Sequence, residues 1–320
     1  MLRDKIVNKK SGILLYGLTP PKLNIDKSKI QLIANKLIER VKHLPIDGLV
    51  LYDIQDESAR TNQVRPFPFN ETLTPDDYSN NYLGELKIPK IIYKSVGKYT
   101  ANEFKNWIDE NSNTIDYSVF VGTPSDELVL NLPLNDAYKI NRDAKHSIPL
   151  GGVTIPERHY QLNDEHLRIF GKIDKGCKFF ISQCIYNTYN TKNFLSDYHY
   201  YSIENNKELQ PIIFTLTPCG SLKSLEFMEW LGIDFPKWLK NEFKYSKDML
   251  VKSIDTCKYI ARELIDYSNE KNIPIGFNIE SVSVRKEDVE ASVELLKDVK
   301  VLMNEYEYES LSLSGNIMEE

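Results

Sequence analysis

Three acidic side chains follow one short apolar run and could act in acid–base chemistry. Asp53, Asp56 and Glu57 come directly after a run rich in Leu, Val and Tyr, and Arg60 follows them. Neighbouring carboxyl groups shift each other's pKa, so one can hold a proton while another is ionised. A polar loop in which the acids pair with Arg60 explains the same cluster. The sequence leaves both interpretations open.

A second polar group follows two glycines. Glu157 and His159 come after Gly151 and Gly152, and glycines within a strand indicate a close approach to the backbone. The glutamate and the histidine could contact a ligand there, although a histidine at a rim is often only solvated. Further along, Gln183 could offer a donor and an acceptor to the edge of a heterocycle, or serve a polar layer of the protein itself.

The segment from Thr217 to Ser221 ends another apolar run and opens a helical pattern. Free N–H groups at a helix start can hold an anion, but Ser221 as a simple N-cap is the commoner outcome. Cys184 and Cys219 are expected near each other, yet two thiols without a third ligand make a weak zinc site. We therefore interpret them as core residues and predict no metal site.

Eight short apolar runs must position these residues. They are dense in Ile, Val, Leu, Phe and Tyr without strict alternation, which is typical of parallel strands buried on both faces. The predicted strands are Ile13–Leu18, Gly48–Asp53, Lys90–Lys94, Tyr117–Gly122, Ile148–Ile155, Lys178–Cys184, Pro211–Thr217 and Ile275–Ser281. The predicted helices between them are Asp26–His43, Ala101–Asn111, Asp164–Lys175, Ser221–Trp230 and Ser246–Glu270, with a helix and an extended loop within Tyr186–Gln210.

Eight strands alternating with helices predict an α/β protein with a closed (βα)8 TIM barrel. No glycine-rich phosphate-binding pattern follows a strand, which disfavours a doubly wound nucleotide-binding fold. We predict a single domain over residues 1–320, with a loose acidic tail over residues 305–320. Active sites of such barrels lie at the carboxyl ends of the strands. That rule selects Thr19, Asp53, Gln55, Asp56, Glu57, Lys94, Thr123, Glu157, His159, Gln183, Tyr186, Asn187, Thr217, Cys219, Asn278 and Glu280.

Composition narrows the classes of partner. The chain has 320 residues, of which 41% are hydrophobic and 27% charged, as in globular proteins. Its formal net charge of -6 gives no basic excess for nucleic acid, and its apolar runs are too short to span a membrane. The first ten residues lack the apolar run of a secretory signal, and the four cysteines show no CxxC pairing. We expect a cytoplasmic protein that binds neither nucleic acid nor membranes.

Several segments, taken in order, resemble the methylenetetrahydrofolate reductase family. LYGLTPPK resembles the family's first strand, which ends in two prolines, and GGVTIPERH resembles its fifth-strand motif with a glutamate and a histidine. GKIDKGCKFFISQCIYN resembles its sixth strand, and PIIFTLTPCGSL with LGIDFPKWL resembles its seventh strand and the piece after it. The resemblance runs roughly from Gly12 to Lys300 and rests on the order and spacing of the segments.

The resemblance implies a flavoprotein fold and a folate substrate. In the family, FAD takes a hydride from NAD(P)H and passes it to 5,10-methylenetetrahydrofolate, giving 5-methyltetrahydrofolate, while the protein positions the cofactor. Residues at the cofactor positions would be His159, Glu165, Lys172 and Thr123. Residues expected at the substrate would be Gln183, which would touch the pterin, together with Thr19, Glu157 and Tyr186.

Three positions depart from the family pattern. Gly17 stands where the family has a proton-supplying glutamate, Thr123 where it has an aspartate, and Ile155 where it has a tyrosine. Loss of a general acid normally costs about 10²–10⁴ in rate. The amino group and ring N–H of a pterin still need acceptors, and a carboxylate pairs best with them. We therefore expect Glu280 and Asp53 to be the replacement carboxylates.

Three functions are compatible with the sequence. The resemblance along the chain favours the first, a reductase of 5,10-methylenetetrahydrofolate with altered acid–base residues, using NAD(P)H and FAD. The second is a flavin-free tetrahydrofolate-binding or carrier protein, which the changes at Gly17 and Ile155 favour. The third is a folate-dependent methyl or one-carbon transferase on the same barrel. The protein could form a homo-oligomer or serve a partner enzyme.

Overall fold

Eight parallel strands close into a barrel in chain order, and the last strand pairs with the first. The computed structural model describes residues 1–56, 63–122 and 131–316, with the backbone alone for residues 307–316. The strands are β1 (Ile13–Leu18), β2 (Gly48–Leu51), β3 (Lys90–Ser95), β4 (Tyr117–Val121), β5 (Leu150–Thr154), β6 (Cys177–Cys184), β7 (Ile212–Leu216) and β8 (Ile275–Glu280). This single-domain architecture confirms the predicted (βα)8 barrel.

Helices cover the outside of the barrel. In the described ranges they are α1 (Leu2–Val7), α2 (Lys27–Val41), α3 (Pro75–Tyr82), α4 (Ala101–Asn111), α5 (Leu134–Asp143), α6 (Pro156–Leu162), α7 (Glu165–Ile173), α8 (Thr188–Glu204), α9 (Leu222–Trp230), α10 (Lys237–Tyr245), α11 (Met249–Asn269) and α12 (Lys286–Asn316). A short 3-10 helix, Val96–Lys98, follows β3. Within these ranges, no helix combines the length and the apolar character needed to cross a lipid bilayer.

Local sequence features explain where the helices begin and which face they bury. In α2, Ile30, Ala34 and Leu37 lie at three- and four-residue spacing and are buried against the barrel. Ser221 accepts the N–H of Ser224 at 3.1 Å, which confirms its interpretation as an N-cap. The helix–strand–helix order therefore follows from ordinary apolar periodicity and capping.

The chain's last helix differs from the sequence expectation. Residues 305–316 continue α12, where the sequence indicated a loose acidic tail, and residues 317–320 lie outside the described part. Glu, Leu and Met have high helix propensity, so the backbone can continue helically even without a strongly apolar face. Helices α1, α3, α5, α6 and α10, and the part of α12 before residue 305, were also not predicted.

The inner face of the barrel is apolar towards its amino end. Side chains from six strands pack there as one cluster: Ile13, Leu15, Val50, Ile91, Tyr93, Tyr117, Val119, Phe179, Ile181 and Ile213. Leu2 and Ile6 of α1 join the same cluster, so α1 closes the amino end of the barrel. The amino end of the barrel interior is consequently a packed apolar core. Polar chemistry inside the barrel is left to its carboxyl end.

Two glycines of β5 make room for aromatic rings of β6. A Cβ on Gly151 would lie 2.5 Å from the ring of Phe179, which packs inside the barrel. A Cβ on Gly152 would lie 2.8 Å from the ring of Phe180, which packs outside it. The close approach predicted at these glycines therefore comes from the neighbouring strand, not from a ligand.

Candidate functional site

The polar part of the barrel interior begins where the apolar core ends. Alternate residues of a strand face the same side, so Asn278 and Glu280 of β8 share the inward face. Asn278 Nδ2 donates to Tyr52 Oη at 2.8 Å and to Thr215 Oγ1 at 3.2 Å. These contacts cross the barrel from β8 to the end of β2 on one side and to β7 on the other. They form a polar layer above the inner apolar cluster.

Glu280 is the carboxyl group of this layer. Burial raises its pKa to about 7, and the neighbouring Tyr52 hydroxyl and Asn278 amide act against that rise. The pKa of Tyr52 lies well above its ordinary value, first because the phenol is buried and then because Glu280 is close. At neutral pH, Glu280 can therefore hold a proton or release one.

Asn278 presents an unused acceptor in the same layer. Its side chain is fully buried, and its Oδ1 has no hydrogen-bond partner within the described ranges. Buried polar atoms are nearly always paired, so an orphaned acceptor indicates a missing donor. Asn278 and Glu280 together offer two neighbouring acceptors on the inner face of β8.

Gly17 lies beside this pair on the neighbouring strand β1, in register with Glu280 of β8. A Cβ at Gly17 would lie 3.0 Å from the ring and hydroxyl of Tyr52 and 3.1 Å from Asn278 Oδ1. A side chain here would crowd Tyr52 and Asn278, so glycine leaves room for their contact. The carboxyl group of this layer stands on β8, one strand away from the position where the resemblance expects it.

Asp53 faces different partners from Glu280. Its Oδ2 accepts the N–H of Ser95 at 2.8 Å, and its Oδ1 lies 3.2 Å from Lys98 Nζ. Only 6% of its side chain is exposed. Both carboxylate oxygens therefore join the end of β2 to the end of β3, and the structure does not bring Asp53 into the Glu280 layer.

Gln183 and Tyr186 contact the segment after α9. Gln183 Nε2 donates to the carbonyl of Leu231 at 2.8 Å, so one end of its amide holds this segment at the mouth. The Tyr186 ring stacks on Phe235 at 4.3 Å, and its hydroxyl donates to the carbonyl of Thr217 at 2.5 Å. The ring and hydroxyl of Tyr186 therefore both contact the protein itself, and they pack against the segments that form the mouth.

Glu157 and Thr19 complete the described rim residues. Burial raises the pKa of Glu157 to about 8, opposed by its own backbone N–H and reinforced by the charges of Asp234 and Glu165. Glu157 Oε2 is buried without a partner among the described residues. Thr19 is exposed just beyond β1, and Thr123 lies outside the described residues.

The described residues at the expected flavin positions lie behind β5. Glu165 Oε1 accepts the N–H of Ile155 at 2.8 Å and the hydroxyl of Thr154 at 3.1 Å. Lys172 Nζ donates to the carbonyl of Val153 at 2.5 Å, and burial lowers the pKa of Lys172. Lys172 packs where a Cβ of Gly152 would point, on the outer face of the strand.

His159 completes this outer group, because its Nε2 lies 3.0 Å from Asp197 Oδ2 of α8. One polar atom of each of these three side chains contacts the protein's own backbone or helices, while Glu165 Oε2 and His159 Nδ1 are buried without a hydrogen-bond partner among the described residues. This arrangement does not fit a flavin placed at the mouth.

Sequence reasoning missed Tyr52. It lies just beyond β2, and its alternation with Val50 marks it as inward-facing once the register is known. Asn278 was among the residues selected at strand ends, and an amide within the apolar run of β8 was the available indication. The contact between Tyr52 and Asn278 could not be inferred because it joins strands more than 200 positions apart.

A closed (βα)8 barrel with a polar layer at its carboxyl end defines a small-molecule-binding barrel protein. The family model for methylenetetrahydrofolate reductase matches residues 147–268. A solved structure from Clostridium thermocellum is 52% identical, with a TM-score of 0.83, and the match covers 94% of this chain and 99% of that one. It is described as an uncharacterized protein that binds two copies of 5-methyl-5,6,7,8-tetrahydrofolic acid.

More distant similarity is also present. A 2,3-dimethylmalate lyase of the PEP mutase/isocitrate lyase superfamily is 11% identical, with a TM-score of 0.44 and coverage of 92% of this chain and 93% of that one. That similarity is too weak to carry an argument. No curated protein matches the chain. The family match and the 52% identical relative together show that this chain belongs to the methylenetetrahydrofolate reductase family.

Proposed function

We propose that this protein binds a reduced folate of the 5-methyltetrahydrofolate type at the carboxyl end of its barrel. The observation that carries the proposal is the pair of acceptors on β8, the Glu280 carboxylate and the unpaired Asn278 Oδ1. A pterin presents an amino group and a ring N–H on one edge, and two adjacent acceptors match those donors. The ligand of the 52% identical relative supports this ligand class.

The neighbouring residues have roles in the same proposal. Tyr52 and Tyr93 pack edge-to-face with centroids 4.8 Å apart and form an aromatic wall beside Glu280. Gln183 lies at the mouth with its Nε2 held by the Leu231 carbonyl, so its Oε1 is the atom that would face the ligand. Thr19 and Glu157 stand at the rim, where the glutamate tail of a folate would leave the barrel. Glu280 would bind the pterin edge in its ionised form, because N–H donors pair best with a carboxylate.

A binding experiment on Glu280 tests the proposal. Glu280→Gln keeps the size of the side chain and removes the charge, so we expect 5-methyltetrahydrofolate to bind about 10- to 100-fold more weakly, as measured by calorimetry. Glu110→Gln, on the exposed face of α4, is the matched control and should bind like the parent protein. Equal affinities for the two variants would contradict the role of Glu280.

The pH dependence of binding gives a second measurement on the same residue. Because the pKa of Glu280 is about 7, lowering the pH from about 8 to about 6 protonates the acceptor and should weaken binding about tenfold. Glu280→Gln should remove most of this dependence. A parent protein whose affinity stays constant over this range would exclude the ionised carboxylate as the pterin acceptor.

Reduction of 5,10-methylenetetrahydrofolate to 5-methyltetrahydrofolate, with NAD(P)H as the ultimate hydride donor, is the second candidate function. One observation favours it: Glu280 stands in register with Gly17, where the resemblance places the family's acid, and its pKa of about 7 lets it hold a proton at neutral pH. In this function Glu280 would supply the proton as the folate ring opens. The outward direction of Glu165 and Lys172 favours folate binding without FAD.

An absorbance spectrum of the purified full-length protein separates the two candidates. Flavin bands in the near-ultraviolet and blue, together with NAD(P)H oxidation that depends on the folate, would support the reductase. A colourless protein that binds 5-methyltetrahydrofolate and does not take up added FAD would support a binding or carrier protein. A corrinoid- or thiol-dependent loss of the methyl group would instead indicate a methyltransferase.

A further inference from the structure

Two imidazoles and a carboxylate meet in the helix layer outside the barrel. His159 lies on α6, His166 on α7 and Asp197 on α8. One potential ligand atom from each residue lies within 4.8 Å of the other two. The two imidazole centroids are 5.4 Å apart in an edge-to-face arrangement, and His159 Nε2 is 3.0 Å from Asp197 Oδ2. Three consecutive helices thus direct metal-ligating side chains towards one point.

Each histidine also has a buried ring nitrogen that the protein leaves unpaired. His159 is 2% exposed and His166 is 9% exposed. Nδ1 of each ring has no hydrogen-bond partner in the part of the chain that the structure describes. Buried polar atoms are nearly always paired, so two unpaired nitrogens on neighbouring rings require an explanation. A simple His159–Asp197 hydrogen bond accounts for one nitrogen and leaves both Nδ1 atoms unexplained.

We propose that His159, His166 and Asp197 bind one divalent transition-metal ion, with Zn²⁺ as the best match. Zn²⁺ takes imidazole nitrogen and carboxylate oxygen at about 2.0–2.2 Å, and three protein ligands leave a fourth position for water. Ligands of one ion lie closer together than 4.8 Å, so the side chains must close around it. The Asp197 side chain is 52% exposed, which allows this movement and gives the ion a route from solvent.

The site is separate from the proposed folate site. It lies among α6, α7 and α8, and His159 contacts Phe194 of the outer apolar cluster, whereas Glu280 lies on the inward face of β8. The cysteines do not compete for the ion, since all four are buried and burial raises the pKa of both Cys219 and Cys257 to about 12. A bound ion would join three consecutive helices and stabilise the folded state, because the unfolded chain lacks the assembled site.

Metal titration of the full-length protein, freed of any affinity tag and stripped with a chelator, tests the proposal. We expect one Zn²⁺ per chain to remain after gel filtration and to raise the unfolding temperature. Co²⁺ should give visible absorption bands without the near-ultraviolet thiolate band that a cysteine ligand would add. Binding should weaken at acid pH, because imidazoles must lose their proton to coordinate the ion.

Variants with matched controls assign the ligands. Asp197→Asn keeps the shape of the side chain and should weaken Zn²⁺ binding at least about tenfold. Mutation of residues that only hydrogen-bond to a metal ligand already lowers metal affinity by about that factor. His166→Phe keeps the ring packing and should abolish the Co²⁺ bands. Asp109→Asn on α4 and His146→Phe, both at exposed positions, should bind the metal like the parent protein.

Two results would overturn the site. One is the absence of a stoichiometric ion in the parent protein. The other is binding of several weak equivalents that Asp197→Asn and Asp109→Asn affect equally. Circular dichroism of each variant confirms that a lost ion does not reflect a lost fold, and a 5-methyltetrahydrofolate titration of Asp197→Asn should match that of the parent protein.

Discussion

Glu280 and Glu165 both end in a buried environment at the carboxyl end of the barrel, but they face opposite sides of its wall. Glu280 of β8 faces inward, and Tyr52 and Asn278 are the described side chains that act on its pKa beside its burial. Glu165 of α7 faces the outer side of β5, where it accepts the backbone N–H of Ile155 and the hydroxyl of Thr154. The first carboxyl is available to a ligand in the mouth, and the second is used to hold the strand.

The difference between the two regions shows that the partners of a buried charge, more than its burial, indicate its role. Glu165 completes the hydrogen bonding of a strand end, so removing it leaves donors unpaired. Glu280 stands beside the Asn278 amide, whose Oδ1 accepts no hydrogen bond among the described residues. The β8 side of the mouth therefore has an acceptor that a ligand could pair. Changes behind β5 should therefore alter stability, and changes at β8 should alter ligand binding.

The largest effect on stability is expected behind β5. Glu165→Ala leaves the Ile155 N–H and the Thr154 hydroxyl without their acceptor and should lower the free energy of unfolding by about 3 kcal/mol. Urea denaturation measures this loss, with Glu110→Ala as the exposed control. The folded fraction should still bind 5-methyltetrahydrofolate within about twofold. A loss of folate affinity as large as that of Glu280→Gln would erase the contrast between the two regions.

Glu157 sharpens the comparison through pH. Its folded pKa of about 8 exceeds its ordinary value of 4.5, so between these values the folded state keeps a proton that the unfolded state releases. This group therefore destabilises the protein progressively as the pH rises from 4.5 towards 8. Glu157→Gln should raise the free energy of unfolding by about 2 kcal/mol at pH 8 and leave it unchanged near pH 4.5. The value at pH 8 is reduced to allow for partial solvent exposure.

Thermal unfolding of Glu157→Gln at both pH values checks this expectation. Glu110→Gln should show no gain at either pH, because its carboxylate is exposed. A gain of equal size at both pH values would mean that the titration of Glu157 is not its cause.

A substitution at Gly17 tests the inner layer without removing any polar group. Gly17→Ala places a methyl group 3.0 Å from Tyr52 and 3.1 Å from Asn278 Oδ1, so Tyr52 must shift. Such overpacking typically costs about 1–3 kcal/mol, and we expect 5-methyltetrahydrofolate to bind about tenfold more weakly. Gly171→Ala in α7 is the matched control, since its Cβ would meet no atom within 4 Å. Unchanged affinity in Gly17→Ala would place the ligand away from Tyr52.

The smallest effect is expected at Asp53. Asp53→Asn loses an ion pair with Lys98, which is half-exposed, and keeps an oxygen for the Ser95 N–H. Such pairs contribute about 1 kcal/mol or less, so folate affinity should change less than about threefold. Calorimetry beside Glu280→Gln makes the comparison direct. A loss equal to that of Glu280→Gln would return Asp53 to the binding layer.

Much of the site could be predicted, because the strand ends of a barrel converge on one mouth. Glu280 and Gln183 were expected there, and both lie at the ends of inward-facing rows. Tyr186 and Asp53 were selected by the same rule, but their polar atoms are engaged within the protein. A rule that uses only the distance along a strand cannot separate these pairs, because one residue of displacement turns a side chain to the other face.

The sequence alone determined the eight strands, their order and the single barrel, because apolar runs of the right length alternate with helical patterns. Only the tertiary structure decided which carboxyl groups face the mouth. Strands of a parallel barrel are buried on both faces, so their sequences lack the polar alternation that would distinguish inside from outside. The pairing of Tyr52 with Asn278, and the meeting of His159, His166 and Asp197, follow from barrel closure and helix packing.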